Sequence, residues 1–505
     1  MGDGRAAGKR RRSARWIVAA LLAAAVLLFG RPLAHLARVA LRERAWPEAP
    51  ALAADVRDDA SHLEPTRVTR VVRVPADEGA ALAAIRGALD EARAQGLPVT
   101  IAGARHTMGG HTLSEAAIVL DMLDCNGMEL DPDGRTLRVQ GGARWHEILP
   151  FLDARGLSVG VMQSNDVFSV GGSLSANCHG WQPGHAPIAS TVRALRVVTA
   201  DGRLVRCSRA EEDELFGLVL GGYGLFGVIL EAELATVPNR LYRTERLVLP
   251  VADYVATLRE RALAAPDEVG LAFGRLSVAP DTFLAEAVLT LFHVEEGAPP
   301  PLVPDPAGAG RALKRLIFRA SVGSAYGKDL RWELEKRFGG RALGESVSRN
   351  ALLHDDLSVI ENRDPEATEI LQEYFVPQAA FPAFVADLGA AVRAHECDLL
   401  NVTVRDLSAD EDAFLRYANR ELVALVLLFH QGRDAGADRA MEPLTRALVD
   451  AALRHGGRYY LPYRLHASPE QFRAAYPMAP RFFELKRRYD PGELFRNRFY
   501  ETYGR

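Results

Sequence analysis

Two segments rich in glycine, alanine and serine each place a histidine beside small residues. The first is Ile101-Ala-Gly-Ala-Arg-His106-Thr, directly after an apolar strand, and the second is Ser169-Val-Gly-Gly-Ser-Leu-Ser-Ala-Asn-Cys-His179-Gly, with a Gly-Gly turn. Small residues let backbone N–H groups approach a phosphate closely, because no large side chain separates the amide from the anion. We expect two such loops to hold a large dinucleotide from two sides.

A third glycine-rich segment, Gly222-Tyr-Gly-Leu-Phe-Gly227, matches the dinucleotide pattern G-x-G-x-x-G. In a Rossmann site a strand precedes that pattern and a helix follows it. Here the sequence predicts the reverse order, with a helix over Glu211–Leu220 and a strand over Val228–Ala235. We therefore interpret the segment as a turn that packs against the cofactor.

Histidines also raise the alternative of a metal site, at His106, His111, His179 and His185. Their spacings of five and six residues place neither pair on one helix face, and no H-E-x-x-H motif accompanies them. Cys178 lies beside His179, but sequence neighbours rarely meet as nucleophile and base, and the chain has no G-x-S-x-G motif. The expected metal set is therefore none, with a metal-dependent hydrolase kept as a remote alternative.

Composition sets limits on the class of protein. The chain has 505 residues with a net charge of −4, and 48% of its residues are hydrophobic. These values indicate two or three folded domains and argue against nucleic acid as the main partner. The four cysteines show no paired spacing, so we expect buried or isolated thiols.

The N-terminus combines a basic block with an apolar segment, Trp16–Gly30, that contains no charged residue. A cleaved signal peptide, a twin-arginine signal at Arg11-Arg12 and a signal anchor are the three interpretations, and we favour the anchor. A single-pass anchor would leave the basic N-terminus in the cytoplasm and the catalytic body outside it, in an extracytoplasmic or periplasmic space. Leu36–Arg44 is then expected to form a juxtamembrane helix.

Periodicity predicts an α+β protein. A strand at Val68–Val74, a helix capped by Asp77 and ended by Gly96, and a strand at Pro98–Ala102 form a β-α-β start. Further strands (Glu373–Val376, Leu399–Val404 and Leu422–Phe429) and helices (Phe381–His395 and Met441–His455) predict a second sheet covered by helices. The expected segments are the N-terminus, anchor and juxtamembrane helix at 1–46, a linker at 47–65, a cofactor domain at 66–240, a substrate or cap domain at 241–455, and a C-terminal segment returning to the site at 456–505.

Three motifs together carry a family resemblance. Ala102-Gly-Ala-Arg-His106-Thr-Met-Gly-Gly110, Val170–Gly180 and the segment from Leu215 to Ile229 resemble the PCMH-type FAD-binding domain of the vanillyl-alcohol oxidase superfamily. The resemblance covers roughly Thr66–Val237. It implies that the first loop binds the FAD pyrophosphate, that His106 can carry FAD covalently, and that the second loop lines the flavin. The implied cofactor-binding residues are Ala102, Gly103, Ala104, Arg105, His106, Thr107, Gly110, Ser164, Ser169, Gly171, Gly172, Ala176, Asn177, His179, Gly180, Val228 and Ile229.

The second half resembles the branch that contains D-arabinono-1,4-lactone oxidase, alditol oxidase and decaprenylphosphoryl-ribose oxidase. The supporting segments are Glu373–Pro377, Leu400–Arg405, Gly457–Tyr460, Phe472–Tyr476 and Arg487–Phe495. In lactone and alditol oxidases an arginine matching Arg405 lies beside the flavin, with a glutamate two residues earlier. That position is Thr403 here, and a lysine expected near the end of the chain is replaced by Tyr463 or Arg464.

The resemblance implies a membrane-anchored FAD-dependent oxidoreductase that removes hydride from a CH–OH group of a sugar, sugar lactone or polyol. Arg405 is the candidate cation, because a guanidinium stays charged at any working pH. His179 is the candidate base, since an imidazole exchanges protons near neutral pH. Glu373 and Tyr463 complete the candidate catalytic set. Oxygen, a quinone or a cytochrome would accept the electrons; the alternatives are a lipid-linked sugar or sterol-type oxidoreductase and a non-catalytic binder.

Overall fold

The computed structural model describes residues 30–47, 51–303, 309–342, 346–355 and 357–505. The helices are α1 (30–44), α2 (Glu78–Gln95), α3 (Trp145–Asp153), α4 (Val170–Ser175), α5 (Asp213–Val219), α6 (Tyr254–Leu258), α7 (Ala309–Arg319), α8 (Ala325–Ala342), α9 (Arg349–Leu353), α10 (Phe381–Ala394), α11 (Ala435–Arg454), α12 (Pro469–Ala475), α13 (Ala479–Tyr489) and α14 (Arg498–Tyr503). The strands are β1 (Val56–Arg57), β2 (Thr66–Arg67), β3 (Arg70–Arg73), β4 (Val99–Ala102), β5 (Ile118–Asp121), β6 (Met128–Leu130), β7 (Thr136–Gln140), β8 (Leu157–Val159), β9 (Val192–Val198), β10 (Leu204–Ser208), β11 (Val228–Pro238), β12 (Leu241–Pro250), β13 (Val269–Leu276), β14 (Glu286–Glu295), β15 (Ser346–Ser348), β16 (Ala367–Val376), β17 (Asp398–Leu407), β18 (Leu422–Gly432) and β19 (Arg458–Tyr459).

The predicted β-α-β start is confirmed. The Asp77 carboxylate accepts a hydrogen bond from Ala80 N and caps α2, and Gly96 ends the helix in the left-handed conformation, with φ 68°. Strands β3 and β4 both pair in parallel with β5. The chain leaves β4 at Ala102, so this small sheet fixes the start of the first small-residue loop.

An antiparallel sheet in the order β10-β9-β11-β7-β6 forms the second layer of the first half, and β8 pairs with β11. Helix α5 precedes the segment Gly222–Gly227, and β11 follows it. This is the predicted order, and it is the reverse of a Rossmann site. Helix α3 buries Trp145, whose indole N–H donates to Ser173 Oγ in α4.

The second half contains an eight-stranded sheet in the order β15-β12-β14-β13-β17-β18-β16-β19. The predicted strands near 373, 399 and 422 are part of it, but β16 begins six residues earlier than expected, at Ala367. The sequence analysis predicted none of the strands β12, β13 and β14. Strand β12 is only partly buried and mixes charged with apolar residues, whereas β13 and β14 contain buried apolar runs, Leu271–Phe273 and Ala287–Leu289, of the kind that marks the central strand β18.

The predicted helices cover this sheet. Phe381, Phe384 and Leu388 of α10 are buried at three- and four-residue steps, as are Leu444 and Leu448 of α11. The two helices pack against each other, and α11 also contacts β16 and β18. They hold one face of the sheet away from solvent.

The last residues return to the first half of the chain. The Asp490 carboxylate pairs with the buried Lys486 ammonium and accepts hydrogen bonds from Leu494 N (3.0 Å) and Phe495 N (2.8 Å). Val99 N of β4 in turn donates to the Leu494 carbonyl at 2.7 Å. The C-terminal segment therefore supports the strand from which the first small-residue loop departs.

Two local expectations are corrected. Gly171 and Gly172 do not form a turn but belong to helix α4. Because Gly171 has no side chain, the helix can approach the backbone of Gly141 closely. The expected juxtamembrane helix begins earlier than Leu36, since residues 30–44 are helical. The apolar segment Trp16–Gly30 lies outside the described residues except for Gly30, and among those that are described no helix has the length and apolarity to cross a bilayer.

Candidate cofactor and substrate site

A cavity lies between the two halves of the chain, with an empty volume of about 1160 Å³ that includes space open to solvent. The loop after β4, helix α4 and the turn before β11 form one side, and β16, β17 and the C-terminal segment form the other. Its wall includes Gly103, Ala104, Arg105, His106, Thr107, His111, Ser169, Gly171, Gly172, Ala176, Cys178, His179, Ile229, Leu371, Glu373, Arg405, Tyr460 and Tyr463.

Glycines allow the walls of this cavity to come close together. A Cβ at Gly103 would lie 2.0 Å from Ser169 Oγ, and a Cβ at Gly141 would lie 2.3 Å from the Ile229 carbonyl oxygen. At Gly227 the backbone φ of 152° also disfavours any other residue. Glycine at these positions therefore lets the segments that line the cavity pack closely against one another.

His106 lies in the cavity wall, with its ring stacked on Phe168. The ring centroids are 4.3 Å apart and the planes are inclined by 22°. Burial lowers the pKa of His106 to about 4, because the imidazolium would lose its hydration. The ring is therefore neutral at physiological pH, with a nitrogen lone pair available.

Several polar groups around the first loop have no hydrogen-bond partner within the described part of the chain. They include Thr107 Oγ1, Thr112 Oγ1 and Arg105 Nε, all buried. Buried polar atoms are rarely left unpaired in native proteins, so such a group points to a ligand. Together with the cavity volume and the glycine-lined walls, these groups fit a dinucleotide.

A buried triad of polar side chains occupies the other side of the cavity. His179 Nε2 lies 2.5 Å from Glu373 Oε1, and each side chain is only 2% exposed. Tyr463 donates its hydroxyl to Glu373 Oε2 at 3.2 Å. Burial, followed by the nearby Glu373 charge, raises the pKa of Tyr463 well above its usual value, so the phenol stays protonated.

The second ring nitrogen of His179, Nδ1, is buried. No donor or acceptor in the described part of the chain lies within hydrogen-bond distance of it. Because Nε2 is engaged by a carboxylate, it carries the ring proton in the neutral form, and Nδ1 presents a lone pair. The Glu373 carboxylate therefore holds the His179 ring in the tautomer in which Nδ1 can act as a base.

Arg405 adds a positive charge to the same cavity. Its Nη2 donates to Ser164 Oγ at 2.8 Å and its Nη1 donates to the His179 carbonyl at 3.3 Å. Both hydrogen bonds go to uncharged oxygens, and Nε is buried without a described partner. The guanidinium charge is therefore available to a ligand.

The register of the sheet places these groups together. Glu373 of β16 and Thr403 of β17 both pair with Val426 of the strand between them, so all three residues lie in one row. Directly paired residues point to the same face, and Arg405 is two residues beyond Thr403 on that face. A carboxylate at Glu373 thus lies on the sheet face where the resemblance implies one at Thr403.

Aromatic residues hold this region in place. Tyr460 donates its hydroxyl to the Ala176 carbonyl at 2.7 Å, and Tyr417 donates to the Asn177 carbonyl at 2.6 Å. Phe375 stacks on Tyr417 with centroids 4.4 Å apart. The second half of the chain is therefore tied to the residues that immediately precede His179.

The structure brings most predicted site residues to the cavity, but not all. The predicted residues that do not line it are Ala102, Gly110, Ser164, Asn177, Gly180 and Val228. Asn177 bonds instead to Asp410 and to Ala189 N, and Gly110 N donates to Asp59. Their assignment to cofactor binding stays a prediction.

Some wall residues were missed, including Gly141, Phe168, Leu371 and Tyr460. Each lies on a strand or loop with no unusual composition, and the contact with the cavity depends on tertiary packing. Leu371 alone had a usable signal, because it lies two residues from Glu373 on the same face of a strand.

The histidines suggested as metal ligands do not form a ligand set. Across the described ranges, no group of three or more His, Cys, Asp or Glu side chains could hold a metal ion. His111 instead packs against the rings of Tyr223 and Phe499, and His185 Nδ1 lies 3.0 Å from the Pro183 carbonyl. All four cysteines are free, and burial raises the pKa of Cys178, next to His179, to about 11.

Comparisons with known proteins agree with this site. Residues 71–208 match the family of FAD binding domains. The chain is 34% identical over 185 residues to cytokinin dehydrogenase 1 of Oryza sativa subsp. japonica, covering 34% of this chain and 35% of the relative. It is 36% identical over 143 residues to alditol oxidase of a Streptomyces species, covering 27% and 34%. The matches thus span about a third of the length of these curated relatives, and they confirm FAD as the cofactor.

Proposed function

We propose that the protein is an FAD-dependent oxidoreductase that oxidises a CH–OH group of a sugar, sugar lactone or polyol. The observation that carries this proposal is the buried His179–Glu373 pair in the wall of the FAD cavity. When bound, FAD supplies the hydride acceptor. The residues around it must therefore orient the donor, remove its hydroxyl proton and balance the charge that develops.

The first small-residue loop and helix α4 are proposed to hold the cofactor. Gly103–Thr107 offers its backbone to the pyrophosphate, and Gly171 and Gly172 lie beside the flavin region. His106 is the proposed attachment point for covalent FAD, since its neutral ring retains the lone pair that bond formation requires. A covalent bond would also retain the cofactor in an exported protein.

His179 is proposed as the base. Its Nδ1 can accept the hydroxyl proton of the substrate, and the Glu373 carboxylate at Nε2 then stabilises the resulting imidazolium. A carboxylate already in place at 2.5 Å requires no reorganisation when that charge forms. Glu373 therefore acts through His179 as a positioning residue.

Arg405 and Tyr463 are proposed to bind the polar side of the substrate or the flavin. The guanidinium has no carboxylate among its described hydrogen-bond partners, so it can stabilise negative charge that develops in the cavity. The Tyr463 hydroxyl donates a hydrogen bond to Glu373, so its oxygen can accept a hydrogen bond from a substrate hydroxyl. These two groups would fix the donor carbon with respect to His179.

The relatives leave the substrate class open, since one is named for an alditol and others for a cytokinin. Charged and hydroxyl groups around the donor position favour a polyhydroxylated substrate. A lipid-linked sugar is the second candidate, because Thr403 departs from the lactone-oxidase pattern and a basic, apolar segment precedes the folded body. We propose that this segment anchors the chain in a membrane with the catalytic body outside the cytoplasm, and that oxygen, a quinone or a cytochrome reoxidises the enzyme.

Anaerobic stopped-flow absorbance of the flavin tests the proposal. Rapid bleaching with alditols or aldonolactones supports the leading function, and bleaching only with a polyprenyl-phosphate sugar supports the second candidate. Bleaching only with a cytokinin would overturn the CH–OH assignment. A folded protein that contains FAD yet responds to none of these donors would also contradict it.

A further inference from the structure

Helix α1 has two faces of different character. His35, Val39 and Glu43 follow one another at four-residue steps and point toward the rest of the protein. Val39 is 6% exposed, and the side chains of His35 and Glu43 form hydrogen bonds with residues outside α1. Leu33, Ala37 and Leu41 also recur at four-residue steps, and all three are exposed. Residues at that spacing share a helix face, and the two sets are displaced by two residues, or about 200°. Helix α1 therefore has an inner face that packs against the protein and, opposite to it, an outer face on which apolar residues are exposed.

The inner face of α1 is fixed to helices α7 and α8. His35 Nε2 lies 2.8 Å from the Ala320 carbonyl, and Glu43 Oε2 accepts from Arg315 Nη1 at 2.7 Å. The Arg31 guanidinium lies 3.9 Å from the centre of the Tyr326 ring. Contacts at the first, middle and last turns leave the helix little freedom to pivot.

Arg319 connects Glu43 of α1 to the eight-stranded sheet through two ion pairs. Arg319 is only 1% exposed, and its Nε lies 3.4 Å from Glu43 Oε1 while its Nη1 donates to Glu369 Oε1 at 2.6 Å. Glu369 belongs to β16, four residues before Glu373. The position of α1 is thus linked to the strand that carries the Glu373 carboxylate, which contacts His179.

The outer face of α1 has the composition of a helix at a lipid surface. Leu33 is 63% exposed and Leu41 is 66% exposed, although both are large and apolar. Arg38 and Arg44 are exposed beside them, whereas Arg42 lies nearer the inner face, with its guanidinium 5.6 Å from the centre of the Trp46 ring. Glu43, the only acidic residue between positions 31 and 45, faces inward. An apolar stripe flanked by arginines, with no exposed acid, favours the acyl–headgroup boundary of an anionic membrane.

We propose that the outer face of α1 lies flat on a bilayer containing anionic phospholipids. Leu33 and Leu41 then enter the headgroup boundary at equal depth, and Arg38 and Arg44 contact lipid phosphates. The proposal rests on the membrane-anchoring part of the proposed function, because Trp16–Gly30 immediately precedes this helix. It goes further, since the inner-face contacts hold α7, α8 and the sheet behind them at the membrane surface.

Charge favours lipid over a protein partner on this face. Each arginine near an anionic surface contributes about 1 kcal/mol, and Arg38 and Arg44 on one short helix act together. A protein interface of two or three leucines would be small for a stable complex and would gain little from an unpaired cluster of arginines. A second copy of the chain would also bring like charges together.

Fluorescence quenching in nanodiscs tests the orientation of α1. The full chain is labelled with an environment-sensitive dye at Leu33→Cys, Leu41→Cys or Met478→Cys, in a Cys397→Ser background, because the other cysteines are buried. Met478 is the control position, as it is also apolar and 50% exposed. Quenching by spin-labelled lipid is measured in phosphatidylcholine discs with and without phosphatidylglycerol, and flavin absorbance confirms that each variant is folded.

A flat helix gives equal quenching at positions 33 and 41, several-fold above position 478, and Arg38→Gln/Arg44→Gln removes most of it at position 41. An upright helix instead separates the two positions by about 12 Å in depth, so quenching at 33 alone would overturn the proposal. Energy transfer between copies without lipid quenching would overturn it in favour of self-association. Flotation of the chain with vesicles after a carbonate wash tests the anchor separately, so loss of flotation identifies failure of the anchor.

Discussion

Glu373 and Thr403 lie in the same row of the eight-stranded sheet, on two strands that both pair with Val426. The carboxylate that contacts His179 therefore comes from β16, whereas the resemblance implies a carboxylate two residues before Arg405 on β17. The sheet presents the same chemistry to the cavity from a different strand. This relationship makes Glu373 the first residue to change.

Glu373→Gln is expected to slow flavin reduction by about 10²-fold or more while FAD content stays unchanged. The amide keeps the shape of the side chain but removes the charge that stabilises protonated His179. Stopped-flow reduction over a range of pH measures the effect, and the limb of the profile that reports the base should shift or disappear. Glu366→Gln, an exposed carboxylate just before β16, is the matched control.

Thr403→Glu in the Glu373→Gln background should not restore the rate. Neighbouring strands are about 4.8 Å apart, so the new carboxylate would start about 10 Å from the original position. Recovery to near the parent rate would show that the site accepts a carboxylate from either strand and that the contact at 2.5 Å is not required.

Arg405→Ala is expected to slow flavin reduction more than it weakens FAD retention. The side chain lines the cavity through its guanidinium, but its described hydrogen bonds go to Ser164 and the His179 carbonyl. Ser164→Ala removes one of these bonds and should give a smaller decrease in the same direction. Equal reduction rates in Arg405→Ala and the parent, measured under the same anaerobic conditions, would remove Arg405 from the mechanism.

The sequence predicts the cavity better than it predicts the sheet behind it. His106 and His179 could be found because small residues surround them, and small residues are a local signal of close backbone approach. The pairing of His179 with Glu373 joins residues 194 positions apart and depends on the register of β16 in the sheet. Strand β12 was missed for a related reason, since tertiary packing sets which of its residues are buried, whereas the buried apolar runs of β13 and β14 were a local signal.

His106→Ala is expected to abolish any covalent flavin without unfolding the protein. Acid precipitation separates the two states, because covalent flavin stays with the pellet and free FAD remains in the supernatant. His185→Ala is the control, since His185 does not line the cavity. Flavin that stays in the pellet of the His106→Ala variant would assign the attachment to another residue.

The apoprotein should lose stability as pH falls from about 6.5 toward 4. Burial lowers the pKa of His111 to about 3, so the unfolded chain binds a proton below pH 6.5 that the folded chain refuses. The free energy of unfolding therefore falls by about 1.4 kcal/mol per pH unit for this histidine alone. The stability it contributes is complete above pH 6.5.

His111→Phe should flatten this pH dependence, because a phenyl ring can pack against Tyr223 and Phe499 in place of the imidazole without titrating. Urea unfolding of the FAD-free protein at several pH values gives the slope. An unchanged slope in the variant would mean that the acid sensitivity arises elsewhere, and the buried His106 would be the next group to replace.

Glu43→Gln is expected to release helix α1 from helix α7 while leaving the cofactor cavity intact. Removing the carboxylate leaves the Arg315 and Arg319 guanidinium groups without one of their partners, and an uncompensated buried charge is costly. Arg319 retains Glu369, so the sheet itself should stay folded.

Hydrogen exchange of backbone amides measures this release directly. In Glu43→Gln, exchange should accelerate across residues 30–44 and remain at the parent rate in β16 and in α4. Glu260→Gln, an exposed carboxylate on the same domain, should change neither region. Because Arg31, His35 and Val39 would still contact the protein, faster exchange confined to residues 30–44 would show that the Glu43 ion pair is needed to hold this helix against α7. Unchanged protection of residues 30–44 would show that His35, Val39 and the Arg31–Tyr326 contact are sufficient.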